Sequence, residues 1–182
     1  FIFRFDDGVD PSLTPDILRI LEREGVYAVF AITGRHAEQY PDLVREVAAH
    51  GHLIVNHSYS HPNLFSLLSE KRLQDEMVKT NHILQNITGK QPYLFAPPIG
   101  HSNIFLRKTL HLQKMTALGW DVNSHDVLHL SESKKQRFLD SLLSAPKPAI
   151  LLFHDGLYAP GTPHKAQTLE LLEKVCALLH KF

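Results

Sequence analysis

Short apolar runs and segments of helical periodicity alternate along the chain. Strands are predicted at Ile2–Phe5, Tyr27–Ile32, Leu53–Val55, Tyr93–Phe95, Thr116–Val122 and Ala149–Phe153. Helices are predicted between them at Thr14–Glu24, Tyr40–His50, Ser69–Thr88, Ile104–His111 and Ser133–Ser144, with a last one over about His164–His180. Thr14 reads as an N-cap with Pro15 at the first helical position. Ser69 is followed by Arg72 rather than Glu, only half of a capping box. Apolar strands alternating with helices argue for parallel pairing, in an α/β barrel or a doubly wound sheet. No Gly-x-Gly-x-x-Gly follows the first strand, which weighs against a dinucleotide site. The stretch Tyr158–His164 reads as a loop, and no repeat or linker divides the chain.

The polar residues fall in a consistent place. Asp6 and Asp7 follow the first strand, and His57 and His61 the third. Pro97, Pro98 and Gly100 follow the fourth, Asp121 and Asp126 the fifth, and His154 and Asp155 the sixth. In parallel α/β folds the carboxyl ends of the strands are where ligands bind. Composition adds little to this. Nineteen basic and nineteen acidic residues cancel, so no global field points to nucleic acid or an anionic membrane. One cysteine, Cys176, excludes an internal disulfide and a cysteine metal cluster. No apolar run is long enough to span a bilayer. The 182 residues are expected to form a single catalytic domain, 1–182, and a first residue Phe1 already inside an apolar run suggests a piece of a longer chain.

Each motif alone is ambiguous. "FDDG" on its own reads first as an acidic turn and second as two carboxylates with separate tasks, one ligating a cation and one accepting a proton. With thirteen histidines, roughly one His-x-x-x-His pair is expected by chance, and the chain has two, His57/His61 and His125/His129. If "NHSYSH" turns helically, His57 and His61 share a face and can share an ion. Two imidazoles, one carboxylate and an open position suit a catalytic zinc site. His154 in "LFHDG" is either a satisfied turn residue or a general acid.

Taken in order, FDDG, HSYSH, a Pro-Pro-x-Gly turn, a Trp/Asp segment and LFHD resemble the polysaccharide deacetylase family. These are metal-dependent carbohydrate esterases that include chitin, peptidoglycan N-acetylglucosamine and acetylxylan deacetylases. The likeness runs from Phe3 to the last helix. It implies a distorted (β/α) barrel of about seven strands, one more than the six read here. One terminal strand is expected to lie outside this chain or to have gone unread. It implies Asp6 as the general base activating metal-bound water, Asp7, His57 and His61 as metal ligands, and His154 as the acid that protonates the leaving amine. Asp126 would orient that acid, and Tyr59, Pro97, Pro98, Val127 and Leu152 would line the substrate pocket. The cofactor would be a divalent metal, zinc first, with cobalt, nickel or iron suited nearly alike. The substrate would be an acetylated amino-sugar polymer or oligomer, and the location the cell envelope or outside the cell. Metal identity, chain length of the substrate and oligomeric state are not read from sequence.

The pattern departs from the family where an arginine usually pairs with the base: "FAPPIG" has Ala96 there. Arg4, two residues before Asp6 and on the same side of a strand, stands where threonine is more usual, and is the expected replacement for that cation. Val127 replaces a tryptophan, His125 an arginine and Ile99 a tyrosine. The altered surroundings keep two alternatives open: a catalytically impaired carbohydrate-binding module, or a related amide or O-acetyl ester hydrolase.

Overall fold

Strand β1 (Ile2–Asp6) carries the opening apolar run into the interior of the sheet. In the computed structural model, which describes residues 1–156 and 164–180, it pairs in parallel with β2 (Ala28–Ile32) and β7 (Ile150–His154). Four more strands, β3 (Leu53–Asn56), β4 (Leu94–Phe95), β5 (Thr116–Ala117) and β6 (Val122–Asn123), complete a parallel sheet ordered β5-β4-β3-β2-β1-β7-β6. The sheet curls into a half-barrel.

Seven strands replace the six read from the sequence because the run Thr116–Val122 breaks in two. Its first residues pair with β4 and its last with β7, so the halves lie on opposite edges of the sheet. Between them the chain leaves any ladder, and the carbonyls of Leu118 and Gly119 accept from the Arg4 side chain.

Alternation along the strands sorts the two faces. Phe3, Phe5, Phe30 and Phe153 lie on the outer face, where Phe5 and Phe30 stack at 5.1 Å and Phe3 meets Phe153 at 5.9 Å. They join the main core beneath the helices α1 (Thr14–Glu24), α3 (Pro41–Ala49), α6 (Glu132–Ser144) and α7 (His164–Leu179). The other face carries a smaller cluster of Val29, Ala31, Val55 and Ala96. Arg4 and Asp6 sit opposite Val29 and Ala31 in register, so they too point to this inner face, among side chains too small to fill it.

The long helix α4 (Glu70–Thr88) begins as expected, with the Ser69 hydroxyl accepting from Arg72 N–H at 3.3 Å. The helix α5 (Leu106–Gln113) starts two residues late. The short helix α2 (Gly34–Gln39) was not expected; Thr33 caps it through His36 N–H. Thr14 is not the cap of α1, since the helix already includes it. Its hydroxyl instead accepts from Asp10 N–H at 2.9 Å and donates to Asp155 at 2.7 Å. The predicted loop Tyr158–His164 lies outside the described residues apart from His164, where α7 begins.

Candidate active site

At the end of β1 the backbone turns sharply, with Asp7 at φ 75°, a left-handed conformation that costs a non-glycine residue energy. Neighbouring strands hold it there. Asp7 N–H donates to Ala31 C=O at 3.1 Å and Asp155 N–H to Asp6 C=O at 3.0 Å. Asp6 keeps the inner-face direction of Arg4, and the two pair as a fork. Arg4 Nε lies 2.7 Å from Oδ1 and Nη2 2.6 Å from Oδ2, with side chains only 2% and 7% exposed. The remaining Nη1 hydrogens go to Leu118 C=O at 2.8 Å and Gly119 C=O at 3.0 Å. A guanidinium satisfied on both flanks holds a carboxylate in one orientation.

Asp7 turns to the other side. Its Oδ1 lies 3.1 Å from His57 Nε2 and 3.2 Å from His61 Nε2, and the three donor atoms all fall within 4.8 Å of one another. The histidines do not meet through a helical turn. Ser58 (φ 63°) and His61 (φ 49°) are left-handed, and a tight loop brings the rings to 5.0 Å, tilted by 50°. The clamp on that loop is Glu76, a buried carboxylate of α4 that sequence reasoning missed. It accepts from Tyr59 N–H, Ser60 N–H and the Ser60 hydroxyl at 2.9, 2.7 and 2.8 Å. Its only sequence signal was an acid on the apolar stripe of a helix.

This trio fits a divalent cation on its own chemistry. His57 donates from Nδ1 to Ala96 C=O at 2.7 Å, which turns Nε2 toward Asp7. Burial opposes ionisation of Asp7, yet the hydrogen bond and charge of His57, with His61 and His154 beyond, hold its carboxyl well below the usual range. Burial likewise opposes a proton on His57, but the charge of Asp6 and then Asp7 draw one there. Burial keeps His61 below its ordinary value. The acids thus attract positive charge to the point between the imidazoles, which a bound cation would supply while displacing the proton.

On β7, His154 stands in register with Asp6 on β1. Its Nδ1 donates to Asp126 Oδ1 at 2.9 Å and its N–H to Oδ2 at 3.0 Å. Fully buried, Asp126 also accepts from the hydroxyls of Ser124 (2.9 Å) and Thr168 (2.8 Å), and Gln167 donates to its carbonyl. Burial disfavours the imidazolium, but Asp126 first, then Asp7 and Asp6, push His154 up to about 9. The next residue, Asp155, is a second buried acid with no place in the predicted site. It accepts from Gly8 N–H at 3.2 Å and from Thr14, tying the turn after Asp7 to the end of β7. Burial, then the charges of Asp7 and Asp6, push it up to about 7.

These groups line one cavity of about 150 Å³, with Arg4, Asp6, Asp7, His57, His61 and His154 joined by the expected Val127 and Leu152. Trp120, Asn123, Ile99, Gly100 and His125 also line it, none of them proposed as pocket residues from sequence. Tyr59, Pro97 and Pro98 are not among the lining residues. The Tyr59 hydroxyl donates to Glu38 and Lys79 lies over its ring, which turns it toward α2 and α4. Of the two histidine pairs, only His57/His61 forms a three-donor group among the described residues; His125 reaches the cavity without His129.

Comparisons with known proteins place this geometry in context. Residues 2–118 match the family model described as polysaccharide deacetylase. A peptidoglycan-N-acetylglucosamine deacetylase of Bacillus cereus is 37% identical over 67% of the chain, which covers 44% of that protein. A chitooligosaccharide deacetylase of Rhizobium leguminosarum bv. trifolii is 33% identical over 97% of the chain, covering 83% of that protein. A crystal structure of a peptidoglycan N-acetylglucosamine deacetylase with a naphthalenyl N-oxidanyl-benzamide superposes with TM-score 0.87 at 30% identity, over 99% of this chain and 81% of that one.

Proposed function

The chain belongs to the polysaccharide deacetylase family, and from that premise we propose that it hydrolyses N-acetyl groups of an amino-sugar polymer or oligomer of peptidoglycan or chitin type. The observation that carries this reading is the pairing of Asp6 and His154. A carboxylate fixed by arginine and an imidazole backed by aspartate face the same cavity from adjacent strands, together with a three-donor group.

Asp7, His57 and His61 would hold a divalent cation, zinc by its affinity for two imidazoles and a carboxylate, although cobalt, nickel and iron suit the same donors. Such a cation, when bound, polarises the amide carbonyl and lowers the pKa of water. Asp6, held by Arg4, takes a proton from the attacking water as its oxygen bonds to the acetyl carbon. Asp126 fixes the Nδ1 proton of His154 and leaves Nε2 to face the cavity. His154 enters doubly protonated and delivers its Nε2 proton to the amide nitrogen as the C–N bond breaks. The products are acetate and a free amino sugar.

The rival reading, a non-catalytic sugar-binding module, drew its support from Ala96. Arg4 supplies from β1 the pair that Ala96 cannot, which removes that support. The relatives' names support an action at the cell envelope. No helix among the described residues is long and apolar enough to cross a membrane. The test is acetate release from acetylated chito-oligosaccharides after chelation and after return of zinc or cobalt. Release restored by metal and absent in Asp6→Asn is the expected result. Sugar binding without acetate under every metal would refute it, and faster release from acetylxylan would favour the O-acetyl ester alternative.

A further inference from the structure

The ladders that pair β1 with β2 and β7 end at Asp6, so the carbonyl of the left-handed Asp7 (φ 75°) has no strand partner. Side chains supply its donors. His36 Nδ1–H donates to it at 2.6 Å, and the Thr33 hydroxyl stands farther off at 3.5 Å. Gly156 closes on the same peptide so tightly that a Cβ there would lie 2.4 Å from the Asp7 carbonyl carbon. A buried carbonyl in that position needs a bond from the fold, and His36 makes it.

His36 belongs to α2, and α2 reaches the other half of the three-donor group as well. The N–H groups of Gly34 and Arg35 donate to the carbonyls of Ser58 and Tyr59 at 2.9 and 3.0 Å, inside the loop that joins His57 to His61. Just before the helix, Thr33 N–H donates to Gly8 C=O at 3.2 Å, next to Asp7. The approach to the loop is close: a Cβ on Gly34 would lie 2.7 Å from the Tyr59 ring. One short helix is therefore bonded both to the turn that carries the carboxylate and to the loop that carries the two imidazoles.

We propose that His36 is a positioning residue of the cation site, and that α2 is a bracket fixing the spacing of Asp7 from His57 and His61. His36 acts through the backbone. Holding the carbonyl holds the left-handed turn, and the turn aims the carboxylate between the imidazoles. Once that bond is lost, Asp7 is free to relax toward an ordinary φ and its carboxylate to swing away. The inference rests on the reading of Asp7, His57 and His61 as cation ligands.

Zinc affinity of the whole chain is measured by chelator competition in the wild type, His36→Leu and His36→Asn. The amide nitrogen of asparagine sits as many bonds from Cβ as Nδ1 does and can make the same bond, whereas leucine cannot. His36→Leu is expected to bind zinc about 10–100-fold more weakly, and His36→Asn to recover most of that loss. With cobalt in place of zinc, the visible absorption band reports the arrangement of the ligands. It should change in His36→Leu and return in His36→Asn. His50→Leu is the control, because His50 likewise bonds a carbonyl, that of Glu46 at 2.9 Å, but at the end of α3 and away from the cavity. Its zinc affinity should match the wild type. Unchanged affinity in His36→Leu, or an equal loss in His36→Leu and His36→Asn, would overturn the inference alone. No zinc bound by the wild type would overturn the cation reading and the inference with it.

Discussion

Replacing Arg4 tests the central electrostatic claim. Arg4→Ala removes two charge-assisted hydrogen bonds from a carboxylate that is 7% exposed and orphans the carbonyls of Leu118 and Gly119. Breaking a buried ion pair from one side costs about 3–5 kcal/mol, because the surviving charge stays desolvated. Access to the cavity lets water offset part of that, so the lower end applies. For a chain of this size 3 kcal/mol corresponds to a fall in Tm of about 6–12 °C. The catalytic loss is separate. A base free to swing by about 1 Å forfeits on the order of 10²-fold in rate, read as kcat/KM for acetate release well below the new Tm. Arg4→Lys keeps the charge but loses the fork, and should recover part of the stability with little of the rate. The double variant Arg4→Thr/Ala96→Arg moves the guanidinium to the position where the family resemblance expects it, and should exceed Arg4→Thr alone by about tenfold. Wild-type kcat/KM in Arg4→Ala would refute the reasoning, even if the Tm fell as expected.

Two further outcomes follow from the buried acids. His154 is held at about 9 against an ordinary 6.5, so its contribution to stability is fully present below pH 6.5 and is lost as pH rises through 9. That amounts to on the order of 3 kcal/mol, seen as a falling Tm between pH 6.5 and 9.5 that flattens in Asp126→Asn; an unchanged slope in that variant would contradict the assignment. Gly8→Ala would set a methyl group 2.2 Å from both oxygens of Asp155. It should cost about 1–3 kcal/mol on thermal melting and weaken zinc about 10–100-fold in a chelator competition, by displacing the turn that presents Asp7.

Much of the site was legible because its residues follow strands long enough to show a pattern. β1, β2 and β7 each run five residues, and their ends located Asp6, Asp7 and His154. The period of two by itself places Arg4 on the same strand face as Asp6. The misreadings have equally physical causes. β5 and β6 are two residues each, too short to carry a period, so one apolar run concealed two edge strands. The helical turn suggested for His57 and His61 could not be separated from the tight loop, because both bring residues i and i+4 together. Glu76 escaped, and Asp155 was given no role, because their partners are backbone N–H groups and hydroxyls brought in by the fold, and side-chain patterns carry no trace of such bonds.

Ala96 changes meaning once the inner face is known. Judged by position, it is a missing arginine and points to an impaired enzyme. In the fold it belongs to a cluster with Val29, Ala31 and Val55, and that run of small side chains leaves room for the long side chain entering from β1. Its carbonyl still holds His57 in the orientation that faces Asp7. Under the proposed mechanism Asp6 needs a guanidinium inside the half-barrel; Arg4 supplies it from β1, and an arginine at residue 96 is the alternative that the family resemblance implies. Both at once would place two cations against one carboxylate in a space lined by apolar groups, at a cost neither could offset. The same reasoning predicts that Ala96→Arg in the wild-type background is less active than the wild type, and that removing Arg4 rescues it.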